Sequence, residues 1–144
     1  MPRYMMLITH PEEYRNQAIP QGLLDEMGTF ATEKLKSGTL IDTAGLEPTS
    51  RGTRVRLSRG KLSVTDGPFT ETKEVVGGYA IIEARSREHA IEIVTDFMEI
   101  HRKHWPEFEG ACEVRALEGG GSTPPVEATA SHAANAVRAS VQVP

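Results

Sequence analysis

Apolar residues recur along this chain at two spacings, and the switches between them mark out its elements. Tyr4 to Thr9 is apolar at alternate and intervening positions alike, with Tyr4, Met6 and Ile8 on one side and Met5 and Leu7 on the other. That pattern predicts a strand buried on both faces. From Pro20 to Ser37 the spacing lengthens to a helical stripe of Leu23, Met27, Phe30, Ala31 and Leu35. Pro20 suits a first helical turn, and Gly38 supplies the stop. Leu40 to Leu46 returns to strand. Thr53, Val55 and Leu57 then alternate with Arg54, Arg56 and Ser58, and Arg59-Gly60 turns the chain into Leu62-Val64, which reads as a hairpin. Val75 to Ala84 is again apolar on both faces. Ser86 caps a second helix with Ala90, Ile91, Val94, Phe97, Met98 and His101 directed inward. Ala111 to Leu117 closes the series as a strand.

The order β-α-β, hairpin, β-α-β fits two split βαβ halves in one α+β domain, an antiparallel sheet with two helices on one face. No strong internal repeat accompanies it. Two helices cover only one face, yet the first strand and the one after the hairpin are apolar on both. A second subunit is the simplest shield, so a homodimer is expected, with Tyr4, Met6, Ile8 and one face of Tyr79 to Ile82 between subunits.

Composition narrows the class. The chain has 144 residues and a net charge of −4, which suits one domain and argues against general affinity for nucleic acid or acidic membranes. A single cysteine, Cys112, excludes an internal disulfide framework and fits a reducing cytoplasm. No apolar run reaches the ~18 residues of a spanning helix, and no cleavable signal pattern is read at the N-terminus. The folded domain is expected over residues 1–118. From Gly119 the composition changes to a Gly, Pro and Ala-rich tail, 119–144, read as flexible or as a segment docking on a partner subunit.

Candidate chemistry concentrates in residues 65–79. Asp66-Gly67-Pro68-Phe69 is a tight turn with a carboxylate at its head, followed by Glu71, Lys73 and Glu74 and then Gly77-Gly78 opening a strand. Asp66 reads as a general acid or base, or as a turn former that caps backbone amides. Glu74 could pair with it as an acid/base couple, and Lys73 could hold an anion; the same charges could form a solvated, self-neutralising loop. His101 and His104 stand three apart at a helix end, suited to proton transfer by His101, to metal binding when joined by Asp66, Glu74 or Glu113, a site that His10 could complete, or to capping carbonyls. Two histidines alone are a weak metal signal, and no metal is assigned. Arg115, beside Glu113, could fork onto a carboxylate or form an ion pair. Cys112 reads as a small buried apolar group. Arg51, Arg54, Arg56, Arg59 and Lys61 make a basic patch on the hairpin without interleaved aromatics, a solvated sheet face.

Asp66-Gly67-Pro68-Phe69, Glu71, Lys73-Glu74, Gly77-Gly78-Tyr79 and Glu113-Val114-Arg115 together resemble the DGPF branch of the YCII-related bacterial proteins. The resemblance runs over about residues 3–117, with Ala116 where that family often has proline. It implies a ferredoxin-like subunit that pairs as a dimeric α/β barrel, a cleft suspected of enzymatic work, and a gene context beside alternative sigma factors. Residues and resemblance support two functions. One is a cytoplasmic enzyme using acid/base chemistry on a small polar metabolite in a cleft near the dimer interface. Asp66, Glu74 and His101 would be catalytic there, with Lys73, Arg115, Phe69 and Tyr79 on the substrate. The other is a non-catalytic module that binds a ligand or a regulatory protein. No dinucleotide or flavin motif is present, so no cofactor is assigned.

Overall fold

A computed structural model describes residues 1–121 of the chain. The tail expected from 119 onward therefore lies, beyond residue 121, outside the described residues. Six strands and two helices follow one another as β1 (Arg3–His10), α1 (Gln21–Lys36), β2 (Leu40–Gly45), β3 (Thr53–Ser58), β4 (Lys61–Asp66), β5 (Val75–Glu83), α2 (Arg87–His104) and β6 (Ala111–Ala116), with a 3-10 turn over Glu12–Asn16 between β1 and α1. The fold is mixed α+β and ferredoxin-like. Its four-stranded antiparallel sheet runs β2-β5-β1-β6, while β3 and β4 form a separate two-stranded hairpin.

Local chemistry sets the element ends. The Ser86 hydroxyl accepts the His89 N–H at 3.1 Å and caps α2. Pro20 stands immediately before α1 and Gly38 immediately after its C-cap, with φ +79°. Arg59 and Gly60 both take positive φ at the hairpin tip, the mirror-image turn that suits the twist of two adjoining strands.

Register decides which side of the sheet each residue faces. Met6 opposes Ala80 on one side and Val114 on the other, and Tyr4 opposes Ile82. These residues share one face, which packs on Ala90, Ile93 and Val94 of α2 to make the core. The subunit-interface role expected for Tyr4, Met6 and Ile8 is thereby corrected: Tyr4 and Met6 are buried inside the chain, beneath its own helices, and Ile8 on the same face lines the cavity there. Met5, Leu7, Tyr79 and Ile81 occupy the opposite face, half-buried, with Glu113 and Arg115 exposed beside them. The inward stripe of α2 is also rotated from expectation. Ile93 and Ile100 are buried, whereas Ile91 is exposed.

Candidate functional site

The core is not filled along its whole length. Between α1, α2 and the sheet runs a cavity of about 350 Å³, within the usual size range of small-molecule sites. Met27, Phe30 and Ala31 of α1 form part of its wall, and each is only half-buried because it faces this space. The β5 segment from Gly77 to Ala80 contributes another part of the wall. Two imidazoles stand on its lining, His10 and His101, the buried polar residues among those described. The Lys34 ammonium adds a cation, 5.4 Å from the Phe30 ring centroid.

An aromatic cluster carries the two imidazoles. Phe108 lies between them, with its ring centroid 6.5 Å from that of His10 and 5.1 Å from that of His101. Tyr14 and Trp105 pack on Phe108 at 5.6 and 5.5 Å. The Tyr14 hydroxyl donates to the Glu107 carbonyl and accepts from the Glu109 N–H, each at 3.2 Å. Those two bonds tie the turn after β1 to the loop after α2, so chain segments far apart in sequence form one end of the cavity.

Both histidines are fixed through Nδ1. His10 Nδ1 lies 2.8 Å from the Pro11 carbonyl oxygen and His101 Nδ1 lies 3.0 Å from that of Phe97. A carbonyl only accepts, so each Nδ1 carries the proton and each Nε2 keeps its lone pair while the ring is neutral. Burial lowers the pKa of His101, opposed in lesser degree by the bond to Phe97. His101 is thus a neutral base at physiological pH. At Gly77 an added Cβ would stand 2.2 Å from His10 Nε2, so the bare backbone of β5 makes room for this imidazole.

The other residues singled out in the sequence fall in different places. His104 leaves the cavity and packs on α1, where a Cβ on Gly22 would come within 2.7 Å of its Nδ1. Its Nε2 lies 3.4 Å from Glu26 Oε2 without the alignment of a hydrogen bond. Among the described residues no three His, Cys, Asp or Glu side chains converge to hold a metal ion.

Asp66, Phe69 and Glu71 assemble at the root of the hairpin. Asp66 is exposed and accepts the Thr53 hydroxyl at 3.1 Å. Phe69 lies under the Arg54 guanidinium at 4.1 Å, and Arg54 pairs with Glu71, whose pKa is lowered first by that hydrogen bond. Lys73 and Glu74 are exposed, and neither lines the cavity. Arg115 stands on the open sheet face, 4.0 Å from Glu113. The Tyr79 hydroxyl donates to Asp42 at 3.0 Å, a bond that raises its pKa. His101 is the one proposed catalytic residue that lines the cavity. Tyr14, Trp105 and Phe108 belong to no motif of the sequence. The available signal was the concentration of aromatic residues just outside the regular elements, in the segments after β1 and α2.

This is a ferredoxin-like chain with an apolar, histidine-bearing cavity. It belongs to the YCII-related domain family, whose model matches residues 2–102. It is similar to an uncharacterised protein of Rhizobium meliloti (strain 1021), with 30% identity over 95 residues, covering 66% of this chain and 73% of that protein. Among the described residues no helix is long and apolar enough to cross a membrane.

Proposed function

We propose that this chain binds a small, largely apolar molecule bearing a weakly acidic O–H or N–H group, and that His101 accepts that proton. The observation that carries the reading is a buried, neutral imidazole on the wall of a largely apolar cavity, with Nδ1 already committed to Phe97. Such an imidazole offers its ligand an acceptor and no donor. A phenol or an enol is the matching chemistry, and polarising its O–H is general-base catalysis. His10 is a second polar contact, and Lys34 would favour the anion that forms. The ligand is then largely apolar, not the polar metabolite expected from the Asp66 block, and it lies beneath the helices, not at a dimer interface. The contiguous block from Asp66 to Tyr79 supports placement in the DGPF branch, and the lone Cys112 supports a reducing cytoplasm.

The test is calorimetric titration with 4-ethylphenol and with its methyl ether, which differ by the acidic O–H. Wild-type protein should prefer the phenol by about 10-fold or more, since a buried acceptor left unpaired is costly. His101→Leu should erase that preference while still binding the ether. Trp105, the single tryptophan, lies on the cavity wall and reports occupancy independently by fluorescence with the ether. Equal affinity for the two compounds, or no saturable binding of either, would refute the reading.

A further inference from the structure

The two ends of the cavity differ in charge. Its helices run antiparallel. Near the start of α1 Glu26 accepts from the Lys103 ammonium at 2.8 Å and lies 3.4 Å from His104, while one turn further on Phe30 meets Phe97 at 6.1 Å between ring centroids. His101 stands one turn beyond Phe97 towards the C-terminus of α2, and Lys34 one turn beyond Phe30 towards that of α1. Imidazole and lysine therefore belong to opposite ends, two helical turns apart along the axes, about 11 Å. At that distance Lys34 acts on the His101 end through its field alone. A bond of its own needs an anion at its own end.

Lys34 is placed unlike the other lysines. It is half-buried, whereas Lys36, Lys61, Lys73 and Lys103 are exposed. Its ammonium lies over the Phe30 ring on the cavity wall, and it enters no ion pair among the described residues. No Asp or Glu is among the described residues that line the cavity. The lining thus holds a cation without an anion of its own, and a partly desolvated ammonium gains most from a charged partner. We infer that the ligand is a carboxylic acid: its carboxylate pairs with Lys34, its O–H with His101, and its apolar body fills the space between. A phenol carrying a short acid side chain has that form. One ammonium balances one negative charge. A phosphate carries up to two and takes several donors, and the described lining offers no second Lys or Arg. The inference rests on the reading of the cavity as the ligand site and adds the charge that the ligand must bring.

Calorimetry of the full chain with 3-(4-hydroxyphenyl)propanoate and with 4-ethylphenol tests it at about pH 7.5, where the acid is ionised. The two compounds share the ring, the hydroxyl and the two-carbon chain, and differ by the carboxylate. Wild type should bind the acid about 10-fold or more tightly than 4-ethylphenol, through a charge-assisted bond. Lys34→Met should reverse that preference, because the carboxylate then enters an apolar space unpaired. Lys34→Arg should restore it. An acid that wild type binds no more tightly than 4-ethylphenol, or not at all, overturns the assignment, and so does a preference that survives Lys34→Met. 3-(4-Methoxyphenyl)propanoate keeps the two readings apart. If it binds as tightly as the hydroxy acid and still depends on Lys34, the carboxylate end stands and the role given to His101 fails. If 4-ethylphenol is preferred over its ether while the added carboxylate gains nothing, the role of His101 stands and that of Lys34 fails.

Discussion

The Nδ1 of His101 donates to the carbonyl oxygen of Phe97 one helical turn earlier, at 3.0 Å, while the ring packs edge-on to the Phe97 ring at 4.8 Å. One residue thus fixes both the tautomer and the orientation of the buried imidazole. Burial lowers the pKa of His101 from 6.5, so the unfolded chain binds this proton more readily than the folded one. Stability then rises with pH wherever the unfolded state holds the extra proton. The His101 contribution is fully present above pH ~6.5 and is lost as pH falls from there through the lowered folded value. His101→Phe removes this titration. Urea midpoints between pH 8 and 5 should fall less steeply for the variant than for wild type. An unchanged slope would show that the ring does not titrate differently on unfolding.

Gly77 and His10 form a similarly tight pair on the opposite wall. Gly77→Ala places a methyl group 2.2 Å from His10 Nε2, closer than the imidazole tolerates without moving. The ring is buried and held to Pro11, so relief requires a shift of the cavity wall. Overpacking of this kind costs about 1–3 kcal/mol. The variant should show that loss in chemical denaturation, together with weaker binding of 4-ethylphenol and its ether alike.

Cys112 gives a local check on packing. Burial against the core pushes its thiol up to about 11, and alkylation needs the thiolate. At pH 8 iodoacetamide should label the folded protein far more slowly than the urea-unfolded chain, followed by mass spectrometry. Comparable rates would mean that the β6 side of the core opens readily.

The order of elements was legible because each carries its own period and punctuation: the stripe on α1, the alternation in β3, Ser86 before α2. Sidedness was not. Tyr4 to Ile8 is apolar at every position, and periodicity within one strand cannot say which face the helices take. The pairing of Met6 with Ala80 and Val114 decides it. The cavity was hidden for a related reason. Its aromatic end joins Tyr14 to Trp105 and Phe108, residues about ninety positions apart, through long-range packing that no local pattern encodes. The ionisable run after Asp66 was legible as a cluster, and Arg54 with Thr49 shows what it surrounds, the base of the hairpin.

Asp66 and Gly67 separate the two places where chemistry was sought. An added Cβ on Gly67 would stand 1.6 Å from the Thr49 carbonyl oxygen, which is backbone and cannot swing away. Gly67→Ala should therefore shift the hairpin root and cost more than ~1 kcal/mol, an overpacking penalty. Asp66→Asn is gentler: the amide oxygen still accepts from Thr53, and the site is exposed. Its stability loss should stay below ~1 kcal/mol. Asp66 lines no part of the cavity, so affinity for 4-ethylphenol should remain within about two-fold of wild type, less than ~0.5 kcal/mol. Circular dichroism, urea midpoints and calorimetry on the two variants give the comparison. If Asp66→Asn folds normally yet abolishes phenol binding or turnover, the carboxylate of the turn carries the chemistry and the cavity beneath the helices does not.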